Sequence, residues 1–256
     1  VIVQVRYGSS RLPGKVMKIL GNNANSQKNV IEHVNERLKK CKNVNKIIFA
    51  TTTNCEDDII ANFCSKNDIL FYRGNENNVL ERFYYAAKKH HADVIVRITG
   101  DCPLIDAEIV DNVISLFLEN KLDYSSNVNP PTFPDGLDVE VLSFNSLDYA
   151  YKNALTSSDQ EHVTSFIRSN QSNQLNYENK EDLSSLRWTV DEEEDLDLAR
   201  KVFNHFHPNI TFSWKDALSF QENNDLILTT NNNLIRNQGS TMGKGQKLYK
   251  RAKRII

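Results

Sequence analysis

No stretch of this chain approaches the roughly 20 consecutive apolar residues that a membrane-spanning helix needs, so a membrane protein of the helical kind is not expected. Charge of one sign is also missing. Lys and Arg number 31 against 33 Asp and Glu, for a net charge of −2. A duplex nucleic-acid binder needs a basic face to neutralise phosphates, and this balance argues against one. Cysteine is limited to Cys41, Cys55, Cys64 and Cys102, with neither zinc-site nor CxxC spacing. They read as reduced thiols of a cytoplasmic protein rather than a disulfide framework. Internal repeats are absent, and so is GxGxxG, which lowers a dinucleotide-dehydrogenase reading. The opening residues read as a strand running into a polar loop and not as a leader. The start at Val1 rather than Met implies that a few residues precede it.

What is present is ordinary for a globular domain: 39% hydrophobic and 25% charged residues in 256. Short, branched, apolar runs at 1–6, 46–52, 69–73 and 93–99 have the length of buried strands. Helical patterns lie between them: Val30, Val34 and Leu38; Ile59, Ile60 and Phe63; Val79, Leu80, Phe83, Ala86 and Ala87. Such alternation predicts an α/β fold, a mainly parallel sheet with helices on both faces. A further helix with Ile109, Val113 and Phe117 leads to a strand at 123–127, a Pro/Gly-rich loop at 129–136 and an alternating, half-buried strand at 137–142. Helices are then expected near 145–155 and 159–170, a late strand at 186–190 and a helix at 192–205. The domain is expected to span 1–222. An Asn-rich linker with GSTMGKG at 239–245 would occupy 223–246, and 247–256 reads as the start of a second, interrupted domain.

Only nine glycines occur, so their positions carry information. Gly8, Gly14, Gly74, Gly100 and Gly136 each fall at a strand end or loop, where ligands of open α/β sheets bind and where a missing Cβ lets backbone amides approach phosphate. The segment QVRYGSSRLPGK at 4–15 follows the first strand and supplies Ser9, Ser10, Arg6, Arg11 and Lys15. Hydroxyls and cations at this density suit a triphosphate. It is no Walker A loop: five residues separate Gly8 from Gly14, and Val16 stands where a hydroxyl should hold magnesium. In RITGDCPLID at 97–106, a strand ends at Thr99 and presents Asp101. In RWTVDEEEDL at 187–196, Asp191 is delivered just before a helix whose first turn is acidic. Two aspartates from distant segments, with phosphate oxygens and water, make a candidate Mg²⁺ site.

These segments, in this order, resemble the cytidylyltransferase superfamily, whose members include the CMP-Kdo and CMP-sialic acid synthetases. The SpsF-type spore-coat polysaccharide proteins show the nearest pattern. The likeness extends through YRGNENNVLERFY at 72–84, DYSSN at 123–127, PDGLDVEV at 134–141 and EHVT at 161–164, and covers the chain to about residue 220. It implies a nucleotide-diphospho-sugar transferase-like fold with a small dimerisation flap. The implied reaction joins CMP from CTP to a sugar-like acceptor and releases pyrophosphate. Gln4, Arg6, Gly8, Ser9, Ser10, Arg11, Lys15, Arg82 and Thr99 would bind nucleotide. Lys15, Arg11 and Asp101 would be catalytic, Asp101 and Asp191 would hold Mg²⁺, and Asp138, Glu140, Glu161 and His162 would line the acceptor side. The resemblance also implies a homodimer. Three positions depart from the pattern: Val5 for alanine, Asn78 for an acid and Gln160 for arginine. Residues 248–256 resemble the opening helix of glutamate-1-semialdehyde-type aminotransferases, so a fused aminotransferase is an expected partner. Two alternatives stand beside the enzyme reading. One is a nucleotide-sugar-dependent glycosyltransferase, disfavoured because no DxD motif sits at a sheet edge. The other is a non-catalytic nucleotide-binding module of a bifunctional aminotransferase.

Overall fold

The branched apolar runs become strands in the computed structural model, which describes residues 1–21, 27–224 and 231. The expected linker and aminotransferase-like segment lie almost wholly outside the described residues. In chain order the elements are β1 (Ile2–Gln4), α1 (Val30–Leu38), β2 (Ile48–Thr52), α2 (Asp58–Lys66), β3 (Leu70–Gly74), α3 (Val79–Lys89), β4 (Val94–Thr99) and α4 (Ala107–Glu119). They continue as β5 (Tyr124–Ser126), β6 (Glu140–Ser143), α5 (Phe144–Asn153), α6 (Ser157–His162), α7 (Ser165–Asn170), β7 (Gln174–Asn176), α8 (Glu193–Phe206) and α9 (Trp214–Glu222).

The strands form one sheet in the order β3-β2-β1-β4-β6-β5-β7. All run parallel except β6, which pairs antiparallel with both β4 and β5. The side chains of each central strand feed two cores. Val3, Phe49, Val96 and Ile98 pack with α1, α2, α4, α8 and α9. Ile2, Ile48, Ala50 and Ile95 pack on the opposite face with α3, α5 and α7. Burial on both faces explains why these strands read as continuous apolar runs. Each such side chain contributes on the order of 1.5–3 kcal/mol.

The order of strands fixes where a ligand can bind. The chain moves from β1 outward to β2 and β3, then returns to place β4 on the other side of β1. The loops leaving the carboxyl ends of β1 and β4 therefore diverge around a crevice, the usual ligand position in open α/β sheets.

Four expectations need correction. The segment 186–190 is extended but forms no strand, because its pairing is a single bridge from Asp135 to Arg187. The helix expected across 159–170 is two helices, α6 and α7, broken at Val163. The strand expected at 137–142 starts only at Glu140, and the alternation of buried Leu137, Val139 and Val141 is broken because Glu140 and Leu142 are buried as well. Polar β7 and α9 were not expected at all.

Behind the sheet edge, Arg37 of α1 clamps two loops. Its guanidinium donates to the carbonyls of Ile105 (2.6 Å), Ile210 (2.8 Å), Phe212 (2.9 Å) and Leu104 (3.5 Å). It also stands 3.7 Å from the Asp106 carboxylate, which accepts from the Trp214 amide at 2.9 Å. Burial pulls the pKa of Arg37 down to about 10 against the opposing pull of Asp106, so the group stays charged at neutral pH.

One turn earlier on α1, His33 is buried against Phe203 with ring centroids 3.9 Å apart. Neither ring nitrogen meets a hydrogen-bond partner among the described residues. Burial, with Lys28 and Arg37 nearby, lowers its pKa to about 3. The unfolded imidazole titrates near 6.5, so the unfolded state binds the proton more readily. His33 therefore subtracts stability as pH falls from about 6.5 toward 3. The substitution His33→Phe is expected to flatten the fall in Tm between pH 7 and pH 4.5 and to add ~1–2 kcal/mol. An unchanged pH slope in thermal melts would show that His33 is not the acid-sensitive group.

Candidate active site

The loop after β1 closes on itself before it reaches Lys15. The Gly14 amide donates to the Tyr7 carbonyl (3.1 Å), and the Leu12 amide donates to Ser9 Oγ (3.3 Å). Gly14 has φ +67°, and a Cβ there would lie 2.9 Å from the Tyr7 ring. This turn starts the short 3-10 helix Lys15–Met17 and aims a nearly buried lysine inward.

Lys15 Nζ donates to Asp101 Oδ2 at 2.5 Å and to Asp191 Oδ1 at 2.6 Å. Arg11 reaches the other oxygen of Asp191 at 2.9 Å and Glu192 at 3.2 Å. Three expected site residues, 86 and 90 positions apart in turn, thus share one ammonium. Burial alone would lower the lysine pKa, but Asp101 and Asp191 outweigh it and hold it above its ordinary value. Burial alone would raise the Asp101 pKa, but Lys15, with a hydrogen bond from Thr99, holds it below.

Each acid is fixed from behind. The Val190 amide donates to the Asp101 carbonyl at 2.8 Å, which ties the strap 186–190 to the β4 loop. The buried Asp195 carboxylate accepts the amides of Asp191 and Glu192, both at 3.0 Å, and closes the capping box of α8. Arg187 binds Asp195 at 2.9 Å and Asp191 at 3.4 Å. The acidic run therefore divides its labour: Asp195 serves the helix, Asp191 faces Lys15, and Glu192 meets Arg11. Asn231 adds a bond to Asp195 at 2.9 Å. Arg187 and Asp195 are not among the expected site residues; the sequence shows only an arginine eight residues before an acid at the expected helix start, and the burial that pairs them is tertiary.

Not every expected residue joins this cluster. Arg6 turns to the other side of the crevice, where it meets Glu76 at 3.3 Å. Arg82 is buried there, donating to the Asn75 carbonyl at 2.9 Å. Burial and Arg6 lower its pKa to about 10, while Asp57 and Glu76 oppose. Gly8 faces the Glu56 carboxylate, and Ser10 is exposed. Asp57, unanticipated, is fully buried and accepts the Tyr7 amide at 2.6 Å and both donors of Thr52. It fastens the first loop to the end of β2.

Glu140, expected on the acceptor side, is a saturated structural acid. It sits opposite Arg97 in the β4–β6 register and forms a close ion pair with it. It also accepts from Tyr124 and Thr164, both at 2.6 Å. Burial would raise its pKa, but Arg97, Arg168 and these hydroxyls hold it below. Arg97 also donates to Gln4 at 3.2 Å, and Gln4 and Thr99 are register partners. Asp138 is half-buried. Glu161 is exposed at the end of α6, and His162 is half-buried beside it. Their link to the sheet runs through Thr164. Between them Val163, with φ +58°, forms a tight γ-turn in which the Thr164 amide donates to the His162 carbonyl at 2.5 Å. Such a conformation is strained for a β-branched residue.

The departures from the family pattern have local accounts. Val5 packs against Gly100, 3.0 Å from where a Cβ would stand there. Asn78 caps α3 by accepting the Glu81 amide at 2.9 Å, a task an acid would perform equally. Gln160 donates to the Ala154 carbonyl at 3.4 Å. All four cysteines are free thiols, and no helix among the described residues is long and apolar enough to cross a membrane.

A 3-2-1-4 parallel half-sheet, with cations after β1 and an acid after β4, defines an α/β nucleotide-transfer enzyme. The cytidylyltransferase family model matches residues 1–237, and the chain belongs to that family. It is 37% identical to an uncharacterized protein of Methanocaldococcus jannaschii across 91% of this chain and 94% of that protein. It is 36% identical to the spore coat polysaccharide biosynthesis protein SpsF of Bacillus subtilis, over 65% of this chain and 68% of the relative. A solved cytidylyltransferase from Leptospira borgpetersenii superposes with a TM-score of 0.82 at 30% identity, covering 93% of this chain and 96% of that one. A CMP:2-keto-3-deoxy-manno-octonic acid synthetase complexed with CTP shares the fold, with a TM-score of 0.58 at 17% identity over 78% of this chain and 96% of that one. Membership sets aside the glycosyltransferase alternative.

Gly136 is the backbone point on which the strap depends. Its φ is +108°, and an added Cβ would lie 2.6 Å from the Trp188 carbonyl carbon. Gly136→Ala is expected to cost roughly 2–4 kcal/mol and to lower activity by displacing Asp191. A wild-type Tm would refute the close packing.

Proposed function

We propose that this site transfers CMP from CTP to a hydroxyl of a sugar-like, acidic acceptor, with magnesium held by Asp101 and Asp191 and pyrophosphate released. The observation that carries the reading is the single ammonium of Lys15 bracketed by carboxylates from two distant segments at the β1/β4 crevice. The donor set suits a hard cation, because both groups are carboxylates. Among the described residues no cluster of three or more His, Cys, Asp or Glu forms a self-sufficient metal cage, so phosphate oxygens and water would complete the shell. Magnesium, when bound, would offset phosphate charge at the reacting centre.

The chain's own part is positioning and charge neutralisation. Lys15 and Arg11 would bond the phosphates and offset charge on the departing pyrophosphate. Loop amides and the Ser9 and Ser10 region would cradle the chain of phosphates, while Arg6 and Arg82 would stand toward the base. Glu140 would act by fixing Arg97 and the Thr164 turn, and His162 would be placed to take the acceptor proton. No covalent intermediate is required. The SpsF likeness supports a sugar-like acceptor, and the fold shared with the octonic acid synthetase is compatible with an acidic one. We extend the same likeness to a cytoplasmic homodimer, and the residues 248–256 to a fused aminotransferase.

The test is pyrophosphate release with each of the four NTPs against a panel of acidic and amino sugars in magnesium. CTP-dependent release is expected. Lys15→Ala should reduce it by about 10²–10³ with an unchanged fold by circular dichroism, and Asp101→Asn should remove its response to magnesium. Release from no acceptor with CTP would refute the transfer reaction, as would full turnover by the Lys15 variant for its assigned role.

A further inference from the structure

Lys15 occupies the place where the two aspartates would meet a divalent cation. Its Nζ lies 2.5 Å from one carboxylate and 2.6 Å from the other, so an ion bridging both would need that volume. Each carboxylate of the pair already has a cationic partner. Asp191 receives Arg11 at 2.9 Å and Arg187 at 3.4 Å in addition to Lys15, and Glu192 receives Arg11. A free divalent cation therefore approaches two carboxylates that are both already bonded to Lys15, and it meets an ammonium where its ligands converge. Two carboxylates are also too few to complete its shell among the described residues.

We propose that Lys15 is a gate on the metal site, holding the two carboxylates closed to a divalent cation until a nucleoside triphosphate draws its ammonium away. The inference rests on the nucleotide-transfer reading above and adds an order of events to it. A triphosphate is the ligand able to open the gate, because its oxygens compete for both Lys15 and Arg11 through charge-assisted bonds. The same oxygens supply the coordination that the protein lacks. Cation and nucleotide then bind with positive cooperativity, each raising the affinity of the other by one factor. No covalent bond changes in this step; an ammonium exchanges carboxylate partners for phosphate partners.

The acids are the fixed partners and the lysine is the moving one. Asp101 is held by Thr99 and by the Val190 amide, and Asp191 by its own amide on Asp195. Lys15 projects from a 3-10 helix of three residues on a four-carbon stem. Its ammonium can swing while the carboxylates keep their spacing.

The experiment titrates Mn²⁺ alone, as the chloride at pH 8, into nucleotide-free protein and follows the six-line electron paramagnetic resonance signal of free Mn²⁺. Wild-type protein is expected to show no site at submillimolar concentration. Lys15→Met, which keeps the apolar stem, should gain one site at least about tenfold tighter. Lys15→Arg should stay closed. The double variant Lys15→Met/Asp101→Asn should lose the gained site, placing it at the dyad. Tight Mn²⁺ binding by wild type that Asp101→Asn abolishes would overturn the gate, whether or not Lys15→Met folds. A folded Lys15→Met that binds no better than wild type would overturn it too. Turnover of CTP is a separate readout: its absence beside a closed gate would sink the transfer reaction, and its presence beside an open wild-type site would sink the gate.

Discussion

Two carboxylates and one ammonium, brought from positions 15, 101 and 191, sit within 2.6 Å of contact at the edge of the sheet. Charges this withdrawn from water persist only if each is paired, so every element that delivers one of them depends on the others. β1 must lie beside β4 to set the lysine against Asp101. The strap at 186–190 must lie along the β4 loop to bring Asp191. Fold and site are thus one problem: the parallel pairing that buries Val3 and Ile98 also brings the opposite charges together.

Around the cluster, Asp191 is held through its backbone, whereas Lys15 and Arg11 reach it through their side chains. Asp195, buried at the start of α8, accepts two consecutive amides and a guanidinium, which leaves the Asp191 backbone little freedom. Arg11 and Lys15 act instead through long side chains, and Arg11 is partly exposed. Such a division suits phosphoryl-group transfer, where a fixed frame receives the ligand and flexible cations adapt to its charge as it moves. The turn beside α6 follows the same logic. Glu140 is locked by three side chains and serves as a post on which Arg97 and Thr164 hang.

Much of this was legible before the coordinates. Branched runs buried on both faces announce central parallel strands, and a Gly-Asp after one of them marks a sheet edge. Asp101 is named for that reason, Lys15 for the density of cations and hydroxyls in the loop after the first strand, and Asp191 for its place before an acidic helix start. The remainder needs tertiary information. Residues 186–190 have strand composition, but only one bridge partner is available to them, so no strand forms. β7 is Gln-Leu-Asn and joins the sheet through the β5 edge rather than by its own pattern. The break at Val163 opposes local preference, since a β-branched residue resists positive φ. Glu140 resembles a free acid in the string, and only the antiparallel register with β4 reveals Arg97 as its partner. Arg6 shares a loop with Lys15 yet points to another cluster, because a tight turn sends neighbouring side chains apart.

The clamp formed by Arg37 has a consequence for how this protein tolerates change. All four of its acceptors are main-chain carbonyls, in Leu104, Ile105, Ile210 and Phe212. It therefore senses mainly the path of the chain, with one side-chain contact among these positions, the Phe212 ring 4.8 Å beneath the guanidinium. Only a planar fork with several donors can span two loops in this way; an ammonium on a flexible stem cannot. Replacing the gripping residue would release both loops at once, whereas a change at an exposed neighbour of either loop leaves the clamp in place.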